Sequence, residues 1–193
     1  MRAAGNYAFA NRSALTQRLR NVLREHLGTD GELDVVYDVS HNIAKVEDHV
    51  VHGKTCKCCV HRKGATRALG GDHTELASRF SSVGQPVLVP GDMGTASWVL
   101  AGPTKGGNDA FSSSCHGAGR QLSRTAARKS VNARALMDRL EQQGVHVRAK
   151  TPNVLSEEAP EAYKDVDDVV RLTEKARLAR PVARLRPLAV IKG

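Results

Sequence analysis

The chain has 193 residues, 40% of them hydrophobic and 25% charged, which allows one ordinary domain with a sizeable core and excludes a disordered polymer. Its 29 Lys and Arg against 20 Asp and Glu give a net charge of +9, which suits polyanions such as nucleic acid or nucleotide phosphates as partners and serves plain solubility as well. No apolar run approaches the roughly 20 residues that cross a bilayer, and the start lacks the basic, apolar and small-residue succession of a signal peptide, so a cytoplasmic protein with no membrane partner is expected.

Aromatic residues make up only 4%, which leaves the core to Val, Leu, Ala and Ile. Of the four cysteines, Cys56, Cys58 and Cys59 are too tightly bunched for a paired disulfide framework, so these and Cys115 read as reduced thiols. Leu15, Leu19, Val22 and Leu23 recur at helical spacing while Arg12, Arg18, Arg20 and Arg24 avoid that stripe, and Gly28 follows as a stop. This predicts an amphipathic helix that begins almost at Met1, as though the chain started inside an element.

From residue 33 the pattern changes to short β-rich runs at 33–37, 46–51, 58–61 and 86–90, divided by Gly, Asp and Ser. A Gly-, Ser- and Asn-rich stretch at 102–119 feeds a predicted helix over 121–143, with Leu122, Ala126, Leu136 and Leu140 as its buried candidates. A strand at 145–147, an amphipathic helix at 166–176 ended by Arg180-Pro181, and a strand-like tail at 182–193 complete the chain. With no repeat or coiled coil, the architecture expected is α+β: a mixed sheet with flanking helices, residues 1–193 forming a single unit.

The stretch at 111–124, Phe-Ser-Ser-Ser-Cys-His-Gly-Ala-Gly-Arg-Gln-Leu-Ser-Arg, places His116 and Cys115 beside small residues at the expected N-terminus of a helix. Small side chains expose backbone N–H groups, and these together with a helix dipole hold phosphate. Arg120 and Arg124, four apart, could clamp a phosphate through their planar forks. A neutral imidazole there can attack phosphorus and form a phosphoramidate, although a His capping a turn beside glycines fits the same spacing.

A second Gly-rich loop at 90–97, Pro-Gly-Asp-Met-Gly-Thr-Ala-Ser, follows an apolar strand and suits close approach of backbone to a ligand, or a mere turn; it lacks the Lys-Ser/Thr ending of a Walker loop. His61, Arg62, Lys63 and Arg67 surround Gly64 and suit a phosphate or a solvated face. His41, just past an apolar run, suits a metal ligand or a satisfied core histidine. Cys56, Cys58, Cys59 and His61 suggest zinc, but a strand would send alternate side chains to opposite faces.

Taken in order, several stretches resemble the RtcB family of RNA-splicing ligases. They are Ala-Gly-Asn-Tyr-Ala-Phe-Ala-Asn-Arg at 4–12, Asp-Val-Ser-His-Asn at 38–42, Val-His-Arg-Lys-Gly-Ala-Thr-Arg-Ala at 60–68 and Gly-Gln-Pro-Val-Leu-Val-Pro-Gly-Asp-Met-Gly-Thr-Ala-Ser-Trp-Val-Leu at 84–100. Ser-Ser-Ser-Cys-His-Gly-Ala-Gly-Arg at 112–120, Glu-Ala-Pro-Glu-Ala-Tyr-Lys-Asp-Val-Asp at 158–167 and Arg-Leu-Arg-Pro-Leu-Ala-Val-Ile-Lys-Gly at 184–193 continue the match over nearly the whole chain.

The resemblance implies a ligase dependent on GTP and manganese (Mn2+) that joins an RNA 2′,3′-cyclic phosphate or 3′-phosphate end to a 5′-hydroxyl end, as in tRNA splicing and RNA repair. His116 would take up the guanylate, and His41 would be a metal ligand. By the same match His41, Asn42, Pro90, Gly91, Asp92, Met93, Ser97, His116, Gly117, Ala118, Gly119, Tyr163 and Lys192 would line the guanylate pocket. Lys63, Arg120 and Arg124 would hold RNA phosphate. Asp92 stands where many family members have Ser.

Family members also carry an N-terminal half with an Asp-x-x-Cys motif and further metal-binding histidines, which this sequence lacks, so it is expected to be the C-terminal part of such a ligase. RNA, GTP, an archease-like activator and the missing half are the partners implied. The rival readings are a non-catalytic RNA- or nucleotide-binding remnant and a zinc-binding structural module on Cys56, Cys58, Cys59 and His61.

Overall fold

The helix-forming residues at the start of the chain fold as α1 (Arg2–Leu27) in a computed structural model, which describes residues 2–28 and 33–192. Gly28 follows at φ 58°, a left-handed conformation that ends helices and costs glycine least. The chain gathers into two compact units, Met1–Thr66 and Arg67–Gly193, and each is taken by itself.

In the first unit α1 does not bury the stripe expected of it. Leu15, Leu19 and Val22 stay about half exposed, while the helix is tied through other positions: Gly5 is buried near Ile43, Arg12 pairs with Asp38 at 2.6 Å, and Arg20 donates to the Leu33 carbonyl at 2.7 Å and 2.9 Å. The run at 33–37, expected as a strand, lies outside any strand, and its Leu33 carbonyl serves Arg20.

The next two β-rich runs do form strands, longer than expected: β1 (Asn42–Val51) and β2 (Lys54–Lys63) pair antiparallel around His52 and Gly53, both at positive φ, as a two-residue hairpin turn requires. The short strand β3 (Ala65–Arg67) follows.

In the second unit β4 (Pro86–Val89) and β5 (Ser97–Ala101) form an antiparallel hairpin, so the Gly-rich loop between them is a hairpin connection. β6 (Ser113–Cys115) leads to α2 (Arg124–Ser130) and α3 (Ala133–Gln142), two helices where one was expected. The division is made by caps: the Ser123 hydroxyl accepts from Ala126 N at 3.1 Å, and Asn132 Oδ1 accepts from Arg134 N at 3.0 Å and Ala135 N at 3.1 Å.

β7 (His146–Ala149), the unforeseen α4 (Pro152–Glu157), α5 (Val166–Lys175), β8 (Arg180–Leu185) and β9 (Ala189–Lys192) complete the unit. β8 adds antiparallel to β5, and β9 runs parallel to β7. The α+β class holds, with antiparallel and parallel pairs both present and divided among small sheets.

The buried hydrophobic side chains are Ala, Val and Leu together with Met93, close to what the low aromatic content dictates. One cluster joins β4 and β5 to α5 through Val87, Val89, Leu100, Val166 and Val170. The other joins α3, α4 and β7 through Leu136, Leu140, Val147 and Leu155, and takes in Met93 from the β4–β5 loop. Leu140 is fully buried, and its Cδ2 lies 3.1 Å from where a Cβ on Gly94 would be, so it supports that loop from below. Leu140→Ala should therefore cost about 2–5 kcal/mol in urea unfolding, as cavity-forming leucine truncations do.

Candidate functional site

The loop at 90–97 is closed by its own polar groups. Asp92 Oδ1 accepts from Gly94 N at 2.8 Å and Thr95 N at 3.0 Å, its Oδ2 accepts from the Thr95 hydroxyl at 2.9 Å, and Ser97 Oγ accepts from Gly91 N at 3.4 Å. A Cβ at Gly91 would stand 2.0 Å from the Ala96 carbonyl oxygen, so only glycine permits this closure. Asp92 thus shapes its loop. Met93 is 1% exposed and belongs to the core, so its side chain is not on the loop's outer surface.

The His116 segment meets this loop directly: Ala118 N donates to the Pro90 carbonyl at 3.2 Å. His116 follows β6 and is half-buried, and Gly117, at φ 136°, bends the chain away from the strand. The expected helix N-terminus at His116 is not formed. α2 begins at Arg124, with Ser123 as its cap, so any anion held beside His116 relies on loop N–H groups rather than on that helix. Cys115 turns elsewhere, its Sγ 3.1 Å from Thr173 Oγ1 on α5, and all four cysteines are free.

Arg120 is not helical either. It forms an isolated bridge with Tyr163, and its guanidinium lies 4.8 Å over the Tyr163 ring while Nη1 donates to the Tyr163 hydroxyl at 2.8 Å. Lys164 N donates to the Gly119 carbonyl at 3.0 Å, which fastens this segment to the glycines after His116. A cleft of about 610 Å³ borders Tyr163, Asp92, Thr95 and Gln121 on one side and Asp165, Asp168 and Leu172 of the α5 region on the other, and His116 does not line it.

Two acids to which the sequence reading assigned no role organise the cations. Glu158 Oε1 accepts from Arg124 at 2.8 Å and Arg120 at 3.4 Å, and Oε2 accepts from the Tyr163 hydroxyl at 2.5 Å and lies 3.6 Å from Lys192 Nζ. Glu157 takes Arg124 at 3.0 Å and Arg128 at 2.6 Å, and its carbonyl accepts from Arg120. Arg120 and Arg124 thus converge on carboxylates, and not through the shared helical face their spacing suggested, since only Arg124 is helical. The signal was present: residues 110–137 hold five fixed cations, Arg120, Arg124, Arg128, Lys129 and Arg134, and nothing acidic, so acids had to come from elsewhere.

Burial works to raise the Glu158 carboxyl, but the Tyr163 hydrogen bond and the charges of Lys192, Arg120 and Arg124 outweigh it and hold it below its ordinary value of 4.5. Burial, and then the bond to Glu158, push the Tyr163 phenol above its ordinary 10.0.

In the first unit His41 immediately precedes β1 and is half-buried, and Asn42 is the register partner of Lys63, with Asn42 Oδ1 accepting from Gly64 N at 3.2 Å. These three expected residues therefore gather at the open end of the hairpin. Register sends Cys56 and Cys58 to the face of His49 and Glu47, and Cys59 and His61 to the other. Among the described residues no group of three His, Cys, Asp or Glu is placed to hold a metal ion. No described helix is long and apolar enough to cross a membrane.

Because the folded carboxyl titrates lower than the unfolded one, the stability Glu158 contributes is fully present above 4.5 and is lost as pH falls through its depressed value. Glu158→Gln should lower stability by about 1–2 kcal/mol at neutral pH, discounted for partial exposure. Thermal melts of both proteins should converge in acid.

The family model for the tRNA-splicing ligase RtcB matches residues 1–193. The RtcB tRNA-splicing ligase of Thermococcus kodakarensis is 50% identical over 196 residues, covering 100% of this chain and 41% of the relative. The RtcB RNA-splicing ligase of Mycobacterium tuberculosis is 51% identical over 193 residues, covering 100% of this chain and 44% of the relative. That of Pyrococcus furiosus is 49% identical over 197 residues, covering 100% of the chain and 20% of the relative. The chain therefore spans less than half the length of these relatives, and it belongs to the RtcB family.

Proposed function

We propose that this chain carries the nucleotide-accepting part of a GTP-dependent RNA ligase that joins 2′,3′-cyclic phosphate or 3′-phosphate ends to 5′-hydroxyl ends, acting in the cytoplasm in tRNA splicing or RNA repair. The observation that carries the reading is the clasp between the two Gly-rich loops, Ala118 N to the Pro90 carbonyl at 3.2 Å, which sets His116 beside a loop built for close backbone approach. Pro90, Gly91, Asp92, Met93 and Ser97 on one side, and Gly117, Ala118, Gly119, Tyr163 and Lys192 on the other, would hold the nucleotide, Met93 through its backbone.

In this reading a ring nitrogen of His116 attacks the α-phosphorus of GTP, a P–N bond forms, and pyrophosphate leaves with the electron pair of the broken P–O bond. The guanylate then passes to the RNA 3′-phosphate, and the 5′-hydroxyl displaces it. Arg120, Arg124 and Lys63 would meet RNA phosphate, in keeping with the net charge of +9. An archease-like activator is a further proposed partner.

Manganese fits this chain poorly. His41 is a single imidazole, and the described residues place no group of three donors together, so no step is assigned to the metal here. The same observation favours the second reading, a nucleotide- or RNA-binding protein that does not turn over by itself. The two separate on labelling.

Given manganese, α-labelled GTP and a polypeptide matching the remaining length of the relatives, the chain should acquire acid-labile, base-stable label on His116. Alone it should bind GTP and stay unlabelled. Undiminished label in His116→Ala would refute the assignment, and no label in the supplemented mixture favours the second reading. Lys192→Ala should fold normally and bind GTP about ten- to a hundredfold more weakly, as loss of one charge-assisted hydrogen bond dictates; calorimetric titration gives the ratio.

A further inference from the structure

The two carboxylate oxygens of Glu158 have different duties. Oε1 faces the guanidinium groups of Arg120 and Arg124, and Oε2 faces the Tyr163 hydroxyl at 2.5 Å and the Lys192 ammonium at 3.6 Å. Both Oε2 partners belong to the nucleotide set of the proposed function. Lys192 is a long side chain whose free rotamers would cost entropy on binding a ligand. Its strand β9 fixes the backbone through β7, with Lys150 N donating to the Lys192 carbonyl at 3.0 Å, but this does not aim the ammonium. Glu158 does.

The support beneath Glu158 is rigid. Its backbone N–H closes α4 on the Val154 carbonyl at 3.2 Å, and the neighbouring Leu155 and Ala159 are 3% and 0% exposed in the core. Tyr163 is held from two sides: its hydroxyl donates to Glu158 and accepts from Arg120, whose guanidinium covers the ring. The ring also borders the cleft shared with Asp92 and Thr95.

We propose that Glu158 is a positioning residue of the nucleotide site, holding the Tyr163 hydroxyl and the Lys192 ammonium where a bound guanosine nucleotide meets them. The proposal rests on the nucleotide-accepting reading. A carboxylate is required because two acceptor oxygens must serve opposite sides: Gln would present an NH2 group to one set of donors, and Asp is a methylene too short to reach both. Glu157 is the internal control, since its carboxylate serves Arg124 and Arg128 and neither Tyr163 nor Lys192.

The test titrates guanosine monophosphate into the 193-residue chain and into Glu158→Gln, Glu158→Asp and Glu157→Gln by calorimetry, each checked for folding by circular dichroism. Both Glu158 variants should bind about tenfold or more weakly, the loss of an aligned charged contact, and Glu157→Gln should bind as the parent does. Independently of any nucleotide, ultraviolet titration should show one tyrosine, identified by its absence in Tyr163→Phe, ionising at lower pH in Glu158→Gln than in the parent. Parent-like affinity in folded Glu158→Gln, or an equal loss in Glu157→Gln, overturns the positioning role and leaves the nucleotide reading standing. An unmoved tyrosine also overturns it. If the parent binds no guanosine monophosphate while the tyrosine moves, it is the nucleotide reading that fails, and the positioning role falls with it.

Discussion

The second unit depends on how a strongly basic stretch is neutralised without being silenced. Between residues 110 and 137 there is no acid, so Arg120, Arg124 and Arg128 would repel one another if left to themselves. Glu157 and Glu158, at the end of α4, supply the opposite charge from outside the stretch. A pair of carboxylates among three guanidinium groups and Lys192 still leaves a positive excess. The arrangement is ordered yet remains attractive to phosphate, which a fully neutral network would not be.

That ordering needs a fixed platform, and the platform is the second core cluster. Leu155 and Ala159 bracket the two glutamates, while Leu140 and Met93 in the same cluster lie beneath the loop at 90–97. The loop that approaches His116 and the acids that organise Arg120 are thus set by the same packed side chains. Met93 carries this coupling most directly, since its side chain is the point where the loop enters the core. Close packing transmits displacement, so a volume change at Leu140 acts on the loop at 90–97 that it supports.

Much of this was legible in the sequence where the signal is local. The Gly-rich loops, the hairpin strands at 46–51 and 58–61, and the amphipathic helix near 166–176 all rest on short-range patterns, and they formed. The single helix expected over 121–143 failed because Asn132 competes for helical N–H groups more strongly than composition suggests. The strand expected at 33–37 failed because a strand needs a ladder partner, which no local pattern reveals. The carboxylate hub was illegible for a related reason: Arg120 and Glu158 lie 38 residues apart, and only the fold joins them.

The helix expected to begin beside His116 bears on chemistry as well as on fold. A helix dipole would favour a bound anion. With α2 starting only at Arg124, His116 sits instead just past a strand end and is followed by Gly117 at φ 136°. The fixed charges of the segment that follows are side chains, and Glu158 restrains Arg120 and Arg124 among them. Placing the cations on side chains rather than on a helix end lets carboxylates set their direction one by one, which suits the proposed reaction, where a nucleotide and an RNA phosphate would be met in succession.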